Sequence, residues 1–280
     1  MKESSRREGS ENGSAEIGEP RPRSHGPMGG FEGGEGRWVD RLGSLRTVIR
    51  QEVISRQLAG VVRPGMSVLD VGCGQGTQAM KLASAGCRVT GLDPSGDLLQ
   101  LLAVNSSSVG IAVELVMGRI EDLDDLLGGR QFSLVCCHGL FMYLDDQVSA
   151  LAALAARMHP TGKLSVTFRN GHALAMRPGL RRDWPGALAA FDSGEYINEL
   201  GLRARAHRIE DIEESLAPLG MRVVAWYGVR VFNDAVPGDT PVPGRAELMA
   251  LLDAEERAGR SDPYRWMASQ LHVIAERKAR

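Results

Sequence analysis

The sequence has almost no net charge and no long apolar run, and both absences exclude classes of protein. The formal net charge of the 280-residue chain is −2 at pH 7, which gives no overall attraction to DNA, to RNA or to an anionic membrane. No apolar run approaches the ~20 residues that a membrane span needs. The N-terminus has no apolar signal core, so we expect a cytoplasmic protein that is not secreted.

Cysteine is also scarce, and its placement gives no metal site. The chain has four cysteines, without the spacing typical of metal ligands: Cys73, Cys87, Cys136 and Cys137. Each lies in or beside a strand-like apolar run. We expect buried, reduced thiols and no bound metal.

The chain divides into a tail and one domain. Residues 1–36 are rich in Gly, Ser, Glu, Arg and Pro and have almost nothing to bury, so we expect a disordered tail. Residues 37–280 form the predicted domain, which begins with a helix over 37–61. Two stretches, 170–206 and 233–266, are longer than the connections of ~4–6 residues usual in compact domains. We interpret both as insertions on the substrate side.

Strands and helices alternate from residue 66 onward. Apolar runs at 66–71, 88–92, 112–117, 132–138 and 163–168 predict strands, and helices are expected at 75–85, 95–104 and 146–158. This alternation is typical of an α/β fold with a parallel, doubly wound sheet. A helix at 209–219 and strands at 221–231 and 270–276 follow, which predicts a final antiparallel pair.

The most informative segment is the turn that follows the first predicted strand. Residues 68–77 read V-L-D-V-G-C-G-Q-G-T, with glycines spaced G-x-G-x-G rather than the G-x-G-x-x-G of dinucleotide folds. An acidic residue at this position, Asp70, would repel a pyrophosphate but suits a cationic ligand such as S-adenosylmethionine. Asp93 ends the next strand and can accept the ribose hydroxyls. The alternative is a bare glycine turn with two incidental aspartates.

This pattern resembles the signature of the class I S-adenosylmethionine-dependent methyltransferases. The resemblance implies a Rossmann-like, seven-stranded, mostly parallel sheet with a C-terminal antiparallel strand, helices on both faces, and S-adenosylhomocysteine as product. A non-catalytic module that binds the cofactor is a distant alternative. The predicted cofactor-binding residues are Arg46, Asp70, Gly72, Gly74, Gly76, Asp93, Pro94, Ile120, Glu121 and His138.

Four of these residues have specific predicted roles or open alternatives. Ile120 is expected to pack on adenine and Glu121, or its neighbour Asp122, to accept from the adenine amino group; otherwise these acids only cap a helix. His138 could contact the methionine carboxylate or the substrate, or be a structural histidine. Arg46 could bind the cofactor carboxylate, or be a solvated arginine on its helix.

A narrower resemblance extends over residues 38–278. The segments G-S-L-R at 43–46, C-H at 137–138, F-R-N-G-H at 168–172, G-V-R-V-F-N-D at 228–234 and L-H-V-I-A-E-R at 271–277 are similar to those of the bacterial tRNA 5-carboxymethoxyuridine methyltransferases. That group esterifies a carboxylate on a wobble uridine. Its pattern places Arg46 and His138 at positions that contact the cofactor.

This chemistry defines the substrate-side candidates. A carboxylate is already a nucleophile at neutral pH and needs a cation to hold it, which Arg230 can provide unless it only forms a salt bridge at the strand end. His138 and Tyr143 are the other catalytic candidates. Arg169, Asn170, His172 and Tyr227 are candidates for the substrate rim.

The sequence does not decide what the methyl acceptor is. An arginine-rich patch in 169–208 could bind tRNA; its members are Arg169, Arg177, Arg181, Arg182, Arg203, Arg205, His207 and Arg208. Charge runs are usually solvated surfaces, however, and the alternative is O- or N-methylation of a small molecule in the same pocket.

Overall fold

The structure is a computed structural model that describes residues 43–198 and 201–279. The predicted tail over 1–36 and the first part of the helix predicted over 37–61 lie outside the described residues. The helix that is described begins later than predicted, at Leu45. Ser44 caps it, since its hydroxyl accepts from the amide of Thr47 at 3.4 Å.

The described residues form nine strands in one connected sheet. The strands are β1 (Ser67–Val71), β2 (Arg88–Asp93), β3 (Val113–Met117), β4 (Phe132–Cys137), β5 (Met158–Asn170), β6 (Glu195–Ile197), β7 (Arg203–His207), β8 (Met221–Val229) and β9 (Gln270–Arg277). Strands β3, β2, β1, β4 and β5 lie side by side and parallel. Strand β9 lies antiparallel between β5 and β8, as predicted for the C-terminal strand.

Helices flank this sheet. They are α1 (Leu45–Leu58), α2 (Thr77–Ser84), α3 (Gly96–Ser108), α4 (Leu123–Leu127), α5 (Gln147–Ala156), α6 (Met176–Leu180), α7 (Trp184–Asp192), α8 (Ile209–Leu216) and α9 (Arg245–Arg260). Short 3-10 helices occupy Ile120–Asp122, Phe141–Tyr143, Ala217–Leu219 and Tyr264–Met267.

The apolar residues of the strands alternate between two cores. Val68 of β1 packs into a cluster with Ile49 and Val53 of α1, whereas Leu69 packs into a second cluster with Leu154 of α5. A strand side chain points to the opposite face from its neighbour, so a sheet with apolar residues at successive positions needs cover on both sides. The predicted α/β fold with helices on both faces is confirmed.

The two predicted insertions contain regular structure that the sequence pattern did not indicate. The stretch 170–206 forms α6, α7 and the β6–β7 hairpin, which adds two strands to the predicted seven. The hairpin joins the sheet where Arg169 and Asn170 pair with Ala206 and His207. The stretch 233–266 contains α9, which packs on α1 and β8. Among the described residues, no helix is long and apolar enough to cross a membrane.

Candidate functional site

The glycine turn and Asp93 are joined by hydrogen bonds at the carboxyl ends of β1 and β2. The amide of Gly74 donates to Oδ2 of Asp93 at 2.8 Å, and the amide of Ser95 donates to Oδ1 at 2.9 Å. Gly72 has a φ of 72°, and a Cβ there would come within 3.3 Å of the Leu140 side chain. The turn therefore needs glycine both for its backbone conformation and for this close approach.

A cavity opens above this turn, at the end of the sheet where ligands of parallel α/β folds bind. Six predicted cofactor residues line it: Asp70, Gly72, Gly74, Asp93, Pro94 and His138. The other lining residues are Arg50, Gln51, Ile54, Cys73, Gln75, Thr77, Gln78, Leu98, Gly139, Leu140 and Tyr143. The strand ends thus bring together the residues that the sequence motif assigned to the methyl donor.

Asp70 lies at the floor of the cavity with an acceptor atom that has no partner. Its side chain is 2% exposed, and Oδ2 accepts no hydrogen bond from the described residues. Burial, together with the nearby charge of Asp93, raises the pKa of Asp70 to about 7. A cationic ligand would favour the ionised carboxylate and supply the missing donor.

His138 follows β4 and is held in a neutral state. Its Nε2 lies 2.8 Å from the hydroxyl of Ser165 on β5. Burial, with a contribution from the charge of Arg50, lowers the pKa of His138 to about 3. An imidazole that resists protonation this strongly is a poor general base at neutral pH.

On α1, the cavity is lined by Arg50 rather than by the predicted Arg46. Arg46 is 6% exposed, and its Nη1 lies 3.4 Å from the backbone oxygen of Asp234. Arg50, one helical turn later, reaches the cavity wall. The two arginines share a helix face, since residues four apart lie above one another. The alternative of a solvated arginine does not describe this placement, because Arg46 is buried. Its cofactor role stays a prediction.

Besides Arg46, three predicted cofactor residues are not on the cavity wall. Ile120 is buried in the core cluster that contains Leu69. Glu121 is exposed beside it, and Asp122 accepts from the amide of Arg119 at 3.0 Å, which is the helix-capping role. Gly76 starts α2 with a φ of 84°, and a Cβ there would meet the Leu102 side chain at 2.0 Å. Gly76 thus serves the packing of α2 on α3.

Arg230 belongs to a buried cluster of arginines around Asp234. Its Nη2 lies 3.3 Å from Oδ1 of Asp234 and donates to the hydroxyl of Ser269 at 2.9 Å. Arg169 and Arg177 bind the same carboxylate, with Arg177 making contacts of 2.7 and 2.6 Å. The strand-end salt bridge weighed above is therefore present. Burial lowers the pKa of Arg230 to about 10, against the opposing effect of Asp234.

None of the arginines of this cluster, Arg169, Arg177 and Arg230, is on the wall of the cofactor cavity, which Arg50 lines. The charge of Arg50 acts on both His138 and Arg230. Three guanidinium groups contact the carboxylate of Asp234. This concentration of arginine side chains suits an anionic ligand.

The backbone at Arg230 is held in an unusual conformation. Its φ is 60°, a value that residues other than glycine adopt rarely. Just after it, the carboxylate of Glu255 on α9 accepts from the amides of Val231, Phe232 and Asn233 at 2.7, 3.0 and 3.1 Å. Glu255 is fully buried. It therefore fixes the turn that carries Arg230 and Asp234.

The remaining substrate-side candidates are placed differently. Tyr143 lines the cavity, and its hydroxyl accepts from Asn198 at 2.7 Å. Asn170 is fully buried, and its amide donates to the backbone oxygens of Trp266 and Ala268. His172 pairs with Glu210 at 2.8 Å. Tyr227 lies under the guanidinium of Arg260. The structure does not bring Asn170, His172 and Tyr227 to the cavity wall.

Five members of the predicted arginine-rich patch make internal contacts. Arg169 is 4% exposed and, like Arg177, binds Asp234. Arg203 and Arg205 both pair with Glu195 across the β6–β7 hairpin. Arg181 donates to backbone oxygens of the 235–236 segment. Arg182 and Arg208 are exposed, so these contacts reduce the cationic surface of the patch without removing it.

Several residues at or near the site were not predicted from the sequence. Arg50 was one helical turn away from the arginine singled out on α1. Asp234 and His272 lie inside the segments that carried the narrower resemblance, which could have drawn attention to them. Gln57, Ser165 and Glu255 gave no signal in the sequence, because their partners are distant in the chain.

Comparisons with known proteins agree with this geometry. The sequence model of a methyltransferase domain matches residues 68–162, which include the glycine turn and β4. The ubiquinone biosynthesis O-methyltransferase of Salmonella typhi is 31% identical over 217 residues, which are 75% of this chain and 81% of the relative. That of Erwinia tasmaniensis is 27% identical over 198 residues, 69% of this chain and 74% of the relative.

Solved structures share the fold at low sequence identity. The magnesium protoporphyrin IX methyltransferase of Synechocystis PCC 6803 with bound S-adenosylhomocysteine has a TM-score of 0.60 at 18% identity and covers 89% of this chain and 96% of its own. An S-adenosylmethionine-dependent methyltransferase of Clostridium acetobutylicum has a TM-score of 0.56 at 12% identity and covers 87% and 99%. With the sequence relatives, the glycine turn and the acidic strand ends, these likenesses establish that the chain belongs to the class I methyltransferases and is an enzyme that uses S-adenosylmethionine.

Proposed function

We propose that this enzyme is an O-methyltransferase that esterifies a carboxylate of a small molecule. The observation that carries the proposal is the arginine cluster, Arg169, Arg177 and Arg230, around Asp234, close enough to the cavity-lining Arg50 for the charge of Arg50 to act on Arg230. A guanidinium group matches a carboxylate in shape and charge. The relatives named above belong to ubiquinone biosynthesis and to magnesium protoporphyrin IX methylation, and both names refer to small molecules.

The cofactor supplies an electrophilic methyl group, and the chain has three tasks. Asp70, the glycine turn and Asp93 would hold the cofactor at the strand ends. Arg230 would hold the acceptor carboxylate and orient its oxygen, since fixed geometry lowers the barrier to reaction. The β6–β7 hairpin covers the acceptor side, where Tyr196 lies against Arg169 and Asn198 binds Tyr143. Such cover excludes water from the reacting groups.

The electrostatics favour an acceptor that is already ionised. An alcohol or phenol would need a base, and the pKa of His138, lowered to about 3 by burial and Arg50, makes it unsuitable. A carboxylate needs no such base at neutral pH because its ordinary pKa is near 4. Arginine would stabilise the anion during binding without having to accept a proton.

A carboxylate on the wobble uridine of tRNA is the second candidate, and it follows from the narrower sequence resemblance. It shares the esterification chemistry but needs an additional cationic surface for the RNA backbone. The internal pairing of Arg203 and Arg205 with Glu195 reduces that surface. The small-molecule acceptor is therefore the better proposal, and tRNA becomes an outcome of the experiment.

The experiment uses S-adenosylmethionine labelled in its methyl group. The enzyme is incubated with two pools from a strain that lacks it: an RNA-free extract of small molecules and bulk tRNA. Methyl esters release labelled methanol in mild alkali, whereas ethers and N-methyl groups do not. We expect alkali-labile label in the small-molecule pool and its loss in an Arg230→Ala variant. Arg222→Ala is the matched control, because Arg222 pairs with Glu276 on the surface of β8.

Each of the other outcomes would contradict a part of the proposal. Alkali-labile label in tRNA would establish the second candidate and overturn the small-molecule acceptor. Alkali-stable label in either pool would contradict carboxylate methylation itself. Labelling that Arg230→Ala and Arg222→Ala reduce equally would show that the arginine cluster does not hold the acceptor.

A further inference from the structure

Four side chains form a hydrogen-bonded series through the interior, from α1 to the cofactor cavity. Gln57 donates through Nε2 to the backbone oxygen of Gly228 at 3.1 Å, and its Oε1 lies 2.7 Å from Nδ1 of His272. Nε2 of His272 lies 2.8 Å from the hydroxyl of Ser165, which lies 2.8 Å from Nε2 of His138. Gln57, Ser165 and His272 are all buried.

The direction of every hydrogen bond in this series follows from its first member, Gln57. The carbonyl of Gly228 can only accept, so the amide nitrogen of Gln57 faces it and Oε1 faces His272. His272 must then donate from Nδ1. Its pKa is lowered well below the usual range by burial, so it is neutral and its Nε2 can only accept.

The remaining two bonds follow in the same way. Ser165 has one hydroxyl hydrogen and donates it to Nε2 of His272, so its oxygen accepts from His138. His138 therefore carries its proton on Nε2. In a neutral imidazole, this leaves a lone pair on Nδ1 and no proton there.

That lone pair has no donor among the described residues. Nδ1 of His138 is buried and accepts no hydrogen bond, and Oδ2 of Asp70 is in the same state. The two residues line the same cavity. They lie on adjacent strand ends, since Asp70 pairs with Cys136, two residues before His138. Buried acceptors without donors are costly, so two at one cavity indicate that a ligand supplies the donors.

We propose that Gln57, His272 and Ser165 are positioning residues that fix the tautomer of His138, so that its Nδ1 and the carboxylate of Asp70 together receive the α-ammonium group of the cofactor. The ammonium is the group of S-adenosylmethionine that has several N–H donors and a positive charge. The α-carboxylate has no donor, and the Nδ1 lone pair would repel it. On this proposal, His138 contacts the ammonium group rather than the methionine carboxylate considered from the sequence.

The hydrogen-bonded series does not act as a proton relay. A relay would need a group at its far end that accepts a proton, and the series ends at the amide of Gln57 and a backbone carbonyl. The series accordingly sets which atom of His138 carries the proton without moving it. Removing Ser165 should let the His138 proton occupy either ring nitrogen while the strands of the sheet stay in place.

The test combines two probes with variants at Ser165. Ser165→Ala removes the acceptor of the His138 proton, and Ser165→Thr keeps a hydroxyl. Ser133→Ala is the control, because Ser133 lies on β4 and bonds Ser67, away from the cavity. Binding is measured by calorimetry with S-adenosylhomocysteine and with its analogue in which a hydroxyl replaces the ammonium. The nitrogen chemical shifts of the His138 ring, assigned with a His138→Gln variant, report the tautomer independently.

For the wild type, we expect ring shifts of the Nε2–H tautomer. Ser165→Ala should lose roughly tenfold in affinity for S-adenosylhomocysteine, the scale of a hydrogen bond to a charged group, and much less for the analogue. Ser165→Thr should restore both the shifts and the affinity. An Nδ1–H tautomer in the wild type would overturn the proposal, and so would an equal loss of affinity for both probes. Unchanged binding of both probes in Ser165→Ala would overturn it as well.

Discussion

Arg177 and Asp234 form a two-point ion pair between α6 and the segment that follows β8. Nε of Arg177 donates to Oδ2 of Asp234 at 2.7 Å, and Nη2 donates to Oδ1 at 2.6 Å. The same carboxylate binds Arg230 and Arg169. This pair ties the insertion after β5 to the turn that carries the proposed acceptor-binding arginine, so stability and acceptor binding are coupled at Asp234.

Asp234→Asn should destabilise the protein by about 3 kcal/mol at pH 7, since it leaves buried guanidinium groups without their counter-ion. Burial alone raises the pKa of Asp234, but the charges of Arg230, Arg169 and Arg177 and the hydrogen bonds of Arg177 hold it well below its usual range. A carboxyl with a depressed pKa stabilises the fold above its unfolded pKa of ~4 and loses that contribution as the pH falls further. Urea unfolding at pH 7 and pH 3 should show the difference between variant and wild type shrinking in acid.

Asp253→Asn is the control for this experiment. Asp253 pairs with Arg56 at 2.6 Å, but its side chain is 68% exposed. Exposed pairs contribute little, so this variant should stay within about 1 kcal/mol of the wild type at both pH values. If Asp234→Asn were as mild as Asp253→Asn, the buried arginine cluster would not have the energetic role assigned to it.

Glu255→Gln should destabilise the turn after β8 by about 2 kcal/mol. The carboxylate accepts four hydrogen bonds from residues 231–233, and an amide would turn a donor toward some of those N–H groups. Thermal unfolding measures the loss. Turnover should fall as well, because the turn positions Arg230, whereas S-adenosylhomocysteine binding should be retained. Glu256→Gln, a surface neighbour, is the control, and equal effects of the two changes would argue against this role.

Asp70→Asn should stabilise the ligand-free protein in alkali while weakening its affinity for the cofactor. Burial and the charge of Asp93 raise the pKa of Asp70 to about 7, so between pH ~4 and ~7 the folded state holds a proton that the unfolded state has lost. The wild type therefore loses stability as the pH rises through that window. The variant does not ionise, so its advantage should reach a few kcal/mol at pH 8 and vanish near pH 4.

Unfolding curves from pH 4 to pH 8 and calorimetry with S-adenosylhomocysteine check both halves of the Asp70 prediction. A variant that is less stable than the wild type across the whole range would show that Asp70 is a structural group rather than a strained ligand group.

Much of the fold follows from local patterns in the sequence. The runs at 66–71 and 88–92 read as strands because they are short, contain several apolar residues and alternate with helical segments. The hairpin at 195–207 was not predicted, because Glu195–Ile197 and Arg203–His207 are short and polar. Their strand conformation depends on their pairing with each other, on the pairing of β7 with β5 and on ion pairs such as Arg203–Glu195. Tertiary contacts of this kind leave no periodic signal.

The candidate site also has residues that the sequence predicts and residues that it does not. Asp70, Asp93 and the glycines follow from a contiguous motif, whose geometry is set by one turn. Arg50 could not be distinguished from Arg46, because residues four apart share a helix face and only the position of α1 over the sheet decides which reaches the cavity. The partners of His138 come from α1, β5 and β9 and meet only in the folded sheet.

The most direct test compares two variants in one binding experiment. Asp93 is expected to bind the methyl donor and Arg230 the acceptor. Calorimetry with S-adenosylhomocysteine should show that Asp93→Ala loses about tenfold or more in affinity, whereas Arg230→Ala binds nearly as the wild type does but has no turnover. Equal loss of S-adenosylhomocysteine affinity in the two variants would contradict the division of the site.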